Sequence, residues 1–296
     1  RDMMNRNNIV FAVGSVVAAA ALVILADSQV SDSRSRSADS TSAGTVAETI
    51  DLFKDEGFNP EVALKAASPR IPAVFLAELP DDLKSIRDTE QRKAVFVTVV
   101  LAHVLWANDR IREDRARIGR LKRANIAEKK MRSRDRKWLA RMSMKYRTKP
   151  LAFDELLRRV DVVPPRLAVA QAAQESGWGT SRFAHAGNAL FGQHAPVGAG
   201  AMQAKGDSAV GMKAFDTLHR SVVGYMQNLN SHRAYRQFRD MRAGMRASGQ
   251  PMDALALAGT LGRYSEEGAL YVDRLRTIMA MPEVAAARGA RLAEEE

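Results

Sequence analysis

The 296 residues contain no cysteine, which excludes a disulfide-stapled scaffold and a cysteine-zinc site. Aromatic residues are scarce at 6%, while Ala, Leu and Met are plentiful, a balance that favours helix over sheet. Histidine is nearly absent too. His103, His185, His194, His219 and His232 share no metal-ligand spacing, so neither a metal nor a cofactor is expected. No glycine-rich phosphate loop and no supported Ser-His-Asp arrangement occur. What is present in excess is positive charge, a formal net of +11, and it is concentrated. Residues 109–149 hold 17 Lys/Arg against 5 Asp/Glu, and the rest of the chain is close to neutral.

Residues 9–26 (IVFAVGSVVAAAALVILA) carry no charge. A helix of that length crosses a thin bilayer core, at ~1.5 Å per residue. Arg1 and Arg6 precede the run and Asp27 follows it, so the positive-inside rule leaves residues 1–8 as a cytoplasmic stub and exports the rest. A cleaved signal peptide is the rival reading, but Ile24 would then occupy the minus-three position, where a small side chain is wanted. Residues 27–47 are Ser-rich and read as a linker. The body is expected to comprise a helical region, 48–150, and a second domain, 151–283. A flexible tail, 284–296, would follow. The basic arm at 109–149 is a solvated helical face or a contact for an anionic polymer or lipid. Nucleic acid is not an expected partner, because the arm is exported and no base-reading module is visible.

The densest motif is Gln171-Ala-Ala-Gln-Glu175-Ser-Gly-Trp178-Gly, followed by Asn188-Ala-Leu-Phe191-Gly192. Glu175 closes an Ala-rich helix, and a Gly-Trp-Gly turn follows at once. A glycosidic bond breaks when its oxygen is protonated as the sugar ring takes on positive charge. The donor must hold its proton near neutral pH, whereas a free Glu ionises near pH ~4.3. Burial against an aromatic side chain raises the pKa. Lysozyme pairs a Glu with a Trp in this way, and Trp178 is expected to shape such a pocket here. On the residues alone, an exposed helix-end acid beside a core tryptophan is an equal alternative.

The segment VPPRLAVAQAAQESGWGTSRFAHAGNALFGQ resembles the signature of the glucosaminidase group in glycoside hydrolase family 73. IPAVFLAELPDDL, RKAVFVTVVLAHVLWANDRI, SVVGYMQNLNSHRAYRQFR and GRYSEEGALYVDRLRTIM extend the likeness toward its Bax-like subgroup, over residues 69–281. The resemblance implies a mainly helical, lysozyme-like α+β fold with a small β-hairpin lobe, here between about 189 and 215. It implies cleavage of the β-1,4 bond on the reducing side of N-acetylglucosamine in peptidoglycan; with the run at 9–26 as anchor, the expected place is the inner membrane, with the body in the periplasm. Glu175 takes the position of the catalytic acid and Tyr264 that of the tyrosine lining the cleft, a second catalytic residue expected to stabilise the ring cation or orient water. Ser176, Trp178, Asn188, Phe191, Gly192 and Tyr225 match substrate-side positions. Plain helix packing is an equal reading for Tyr225. The family's second acid has no obvious counterpart. Residues 193–215 offer only Asp207, and Tyr264-Ser265-Glu266-Glu267 replaces the usual Tyr-Ala-Thr-Asp-Pro. A lytic transglycosylase or muramidase using the same Glu, or a non-catalytic wall-binding scaffold, are the alternatives.

Overall fold

The computed structural model describes residues 41, 44–196, 201–203 and 210–294. The expected anchor at 9–26 and Asp207 lie outside these residues. The described chain is mainly helical, in agreement with the composition. A long helix, α3 (Thr89–Ile126), forms its axis. Asp88 caps it by accepting from the backbone of Glu90 and Gln91. Its apolar stretch, Ala94 to Leu105, is buried on every side. By length and composition this helix passes the test for a membrane span, but most of that stretch lies inside the protein. It is therefore the core helix, around which the others pack.

Before it come α1 (Val46–Asp55), opened by a Thr45–Glu48 capping box, and α2 (Pro60–Ala63). After it, α4 (Ser133–Lys145) carries the rest of the basic arm. α3 ends at Ile126, and a short turn and linker lead to α4. Arg117 of α3 ties α4 back by an ion pair to Asp135 at 2.8 Å and a cation–π contact with Trp138. Next come α5 (Phe153–Arg159) and α6 (Pro165–Ser176), which begins on Pro165 as the Pro164-Pro165 pair suggests. α6 packs between α3 and α11 (Ala269–Ala280). The helices α7 (Arg182–Gly187), α8 (Leu218–Ser231), α9 (Arg236–Ala247) and α10 (Ala254–Ala258) complete the body.

Strands β2 (His194–Pro196), β3 (Ala201–Met202) and β4 (Val210–Lys213) form a small antiparallel sheet in the order β2-β4-β3. It occupies the place expected for the hairpin lobe. The end of the chain departs from expectation. Residues 284–294 do not fray: α12 (Pro282–Ala285) buries Val284, and a following turn buries Ala287. Strand β5 (Arg291–Leu292) then pairs in parallel with β1 (Arg70–Ile71). The reason is apolar anchoring: three small or branched side chains at 284, 287 and 290 are buried against the body.

A buried ionic knot joins α3, α9 and the loop that enters α6. Asp161 is 2% exposed. It accepts two hydrogen bonds from Arg246 and lies 3.5 Å from Arg115 and 3.9 Å from Arg242. The Asp161 carbonyl also accepts from Asn230 and Arg242. This knot fixes where α6 begins, and hence where its far end, with Glu175, is held.

Candidate active site

Three successive residues after α6 adopt left-handed backbone: Gly177 at φ 59°, Trp178 at 58° and Gly179 at 76°. Gly at 177 and 179 suits this, while Trp178 is strained. The side chain of Ser176 holds the turn closed. Its hydroxyl donates to the Ala172 carbonyl at 2.6 Å and accepts from the Gly179 amide at 2.9 Å. Gly179 itself faces the core, where a Cβ would meet Phe96, Leu83 and Leu79 at 2.8–3.0 Å. The Trp178 ring packs edge-on against Phe96 at 6.1 Å, with the Lys93 ammonium 5.4 Å from its centroid. The turn thus directs Trp178 onto α3. The groups recorded around Glu175 are different ones.

Those groups are Gly192 and four tyrosines. At Gly192 (φ +61°) a Cβ would stand 2.7 Å from Glu175 Oε2, so the backbone of the Leu-Phe-Gly turn lies directly on the carboxyl. Beneath it runs a directed hydrogen-bond chain. The Tyr225 hydroxyl donates to Gln171 Oε1 at 2.7 Å, and Gln171 Nε2 donates to the Tyr271 hydroxyl at 2.9 Å. The Tyr271 hydroxyl in turn bonds the Glu175 carboxyl. Tyr225 and Gln171 are fully buried and Tyr271 is 1% exposed. An amide oxygen only accepts and an amide nitrogen only donates, which sets the direction at Gln171 and leaves the Tyr271 proton for Glu175. Aromatic rings brace the chain. Phe191 stacks on Tyr225 at 3.9 Å, Tyr264 on Tyr271 at 5.7 Å, and Tyr235 lies 5.7 Å from Tyr264. The Tyr264 hydroxyl donates to the Phe191 carbonyl at 2.8 Å, which fastens the Leu-Phe-Gly turn to the segment before α11.

Electrostatically this is a site that resists negative charge. Burial, opposed by the Tyr271 hydrogen bond and reinforced by the charge of Glu267, pushes the Glu175 carboxyl up to about 7. The same burial raises Tyr235 to about 12 and Tyr225, Tyr264 and Tyr271 well above the ordinary tyrosine value. All four phenols therefore stay neutral. Glu267 is the second carboxylate whose charge reaches Glu175. It is exposed and held by Arg274 through hydrogen bonds of 2.8 and 2.7 Å.

The structure therefore brings Glu175, Gly192, Phe191, Tyr225 and Tyr264 together, with Ser176 locking the turn below. Asn188, in left-handed backbone at φ 51°, caps α7 and donates to the Phe215 carbonyl at 3.1 Å. It anchors the small lobe to the site. The resemblance matches Ser176, Phe191 and Tyr225 to substrate-side positions, with plain packing an equal reading for Tyr225. Each is at most 1% exposed, so they support the site from beneath. Partly exposed Glu175, Gly192, Tyr235 and Tyr264 form its accessible side. Gln171 and Tyr271 are site residues that the sequence does not single out. A signal existed for Gln171, which precedes Glu175 by one helical turn and so shares its face. Among the described residues no cluster of three or more His, Asp or Glu could hold a metal ion.

Residues 151–281 match the glucosaminidase family model, described as mannosyl-glycoprotein endo-beta-N-acetylglucosaminidase. Protein bax of Escherichia coli (strain K12) is 32% identical over 209 residues, covering 67% of this chain and 76% of the relative. No solved structure matches.

Proposed function

Because the chain belongs to the Bax-like glucosaminidases, glycoside hydrolases of the endo-β-N-acetylglucosaminidase type, we propose that it cleaves peptidoglycan on the reducing side of N-acetylglucosamine, with Glu175 as general acid. The carrying observation is a carboxyl that keeps its proton to about pH 7 on the accessible side of the site. The Glu175 oxygen that accepts from Tyr271 is the carbonyl one. The other carries the proton and delivers it to the glycosidic oxygen as the bond breaks. Tyr225 and Gln171 act through Tyr271 as positioning residues. Gly192 leaves room for the sugar beside the acid, and Trp178 and Asn188 hold the two turns that frame it.

Glu267 completes the pair in this reading. Arg274 holds its carboxylate in place by two hydrogen bonds, which suits a group that stabilises the ring cation or activates water. Tyr264 lines the cleft with its ring. Its single hydroxyl proton is committed to Phe191, so toward water it serves as an acceptor. Residues 9–26 anchor the enzyme in the inner membrane and hold the body in the periplasm. The arm at 109–149 contacts anionic polymer or lipid, since Arg120, Arg123, Lys129, Lys130, Arg132 and Arg134 are all exposed. A non-catalytic scaffold gives way to the family membership.

The test is a digest of purified peptidoglycan by the full chain, with new ends identified by mass spectrometry. Reducing N-acetylglucosamine ends are expected. Anhydro-muramic ends would instead mean a lytic transglycosylase, and reducing muramic ends a muramidase.

A further inference from the structure

On the opposite end of α6 from Glu175 lies a cleft of about 660 Å³, between residues 64–68 and residues 282–289. Positions 166 and 175 are separated by about 14 Å of helix rise, so the cleft is distinct from the candidate active site. Three cations line it, Lys65, Arg166 and Arg288, and no carboxylate does. Among the described residues none of the three forms an ion pair. The Arg166 Nε donates to the Met279 carbonyl at 2.7 Å, which holds its guanidinium at the cleft. The charge of Arg288 bears on Arg166 and, after burial, is the largest influence lowering its pKa.

One acid opposes this, Asp253, whose carboxylate already accepts from the backbone of Leu255 and Ala256 at the start of α10. Just beyond the cleft, Arg70 and Arg291 face each other across the β1–β5 pair, both exposed. Like charges set directly opposite are destabilising. Of the acids nearby along the chain, Glu283 is paired with Lys93 at 3.5 Å, and exposed Glu294 forms no ion pair among the described residues. A fold that crowds cations in this way without pairing them is arranged for an anion that comes from outside.

Apart from Ser68 the remaining lining has no polar side chain, and Leu64, Pro282 and Ala286 are among it. A cleft of this size exceeds what a simple ion needs and falls within the range of small-molecule sites. We propose that it binds a small organic acid: a carboxylate clamped by Arg166 and Arg288, with its apolar part against Leu64, Pro282 and Ala286. Planar guanidinium groups bind carboxylates through two parallel hydrogen bonds. The C-terminus of a short peptide with small side chains has this chemistry. That choice of ligand rests on the wall-polymer reading above, because peptidoglycan carries peptide stems.

The experiment is calorimetric titration of the full-length protein, in nonionic detergent at low salt, with acetyl-alanyl-alanine. Its C-terminal amide and inorganic phosphate are titrated alongside. The acid is expected to bind, with the amide at least about tenfold weaker. Arg288→Glu and Lys65→Glu, both at exposed positions, are each expected to weaken the acid by at least about tenfold. Glu175→Gln is expected to bind like the wild type. Binding of acid and amide alike would overturn the proposal. So would no binding, no loss in either charge reversal, or phosphate binding more tightly than the peptide. Hydrolysis of peptidoglycan is read separately. Failure of the glycosidase assignment with intact peptide binding is therefore distinguishable from the reverse.

Discussion

Replacing Glu175 by Gln is expected to stabilise the protein above neutral pH, although it removes the residue assigned the central chemistry. The reason is the energy of keeping a carboxylate in this site. A rise from 4.5 to about 7 corresponds to about 3 kcal/mol at ~1.4 kcal/mol per pH unit. The sign follows from proton counts. Below about pH 4.5 Glu175 is protonated both folded and unfolded, so it leaves stability unchanged with pH. Between 4.5 and about 7 the unfolded chain releases the proton and the folded chain keeps it, so stability falls as pH rises. Above about 7 the full cost is present. Gln stays neutral throughout, and its carbonyl can still accept from Tyr271. At pH 8 Glu175→Gln is therefore expected to melt higher than wild type, on the order of 5–10 °C for a chain of this size. At pH 4 the two should be equal apart from a constant offset. The assay is thermal unfolding by circular dichroism at pH 4, 6 and 8. A difference that is the same at all three, or one that moves against the variant between pH 4 and pH 8, would refute the assignment of a raised Glu175 pKa.

The same electrostatics predict opposite shifts from two neighbours. Glu267→Gln removes a charge that raises Glu175, so the alkaline limb of the pH–kcat profile moves to lower pH. Tyr271→Phe removes a bond that lowers it and moves the limb higher, while stranding the buried Gln171 amide at a cost of about 1–3 kcal/mol. Gly192→Ala drives a methyl onto Glu175 in left-handed backbone. It is expected to fold, to lose about 1–2 kcal/mol by denaturant melt, and to lose most hydrolysis of peptidoglycan. Asp161→Asn leaves buried Arg242 and its neighbours without their carboxylate, and urea unfolding is expected to show a loss of about 3–5 kcal/mol.

Local signals in the sequence carried far. Asp88, Thr45 and Pro165 each mark a helix start by side-chain chemistry that acts within a few residues, and each start is found there. The Glu175–Gly179 turn announces itself through two glycines that left-handed backbone requires. The partners of Glu175 were not legible in the same way. Gln171 and Tyr271 meet across 100 positions, and Tyr225 and Gln171 across 54, distances over which periodicity says nothing. Trp178 illustrates the limit from the other side. Its place after Glu175 suggests a part in the acid's pocket, but nothing local announces that its ring packs on the distant Phe96 of α3. The pairing of β1 with β5 rests on two residues each, too short to leave a strand pattern, so burial at 284, 287 and 290 decides it.

The most direct test of the account is the rate at which new reducing ends appear when equal amounts of wild type and Glu175→Gln act on purified peptidoglycan at pH 6. At that pH the wild-type acid is protonated. A loss on the order of 10²–10⁴-fold, the worth of a positioned general acid, is the predicted result. A variant that retains its rate within a few-fold would contradict the claim that Glu175 donates the proton.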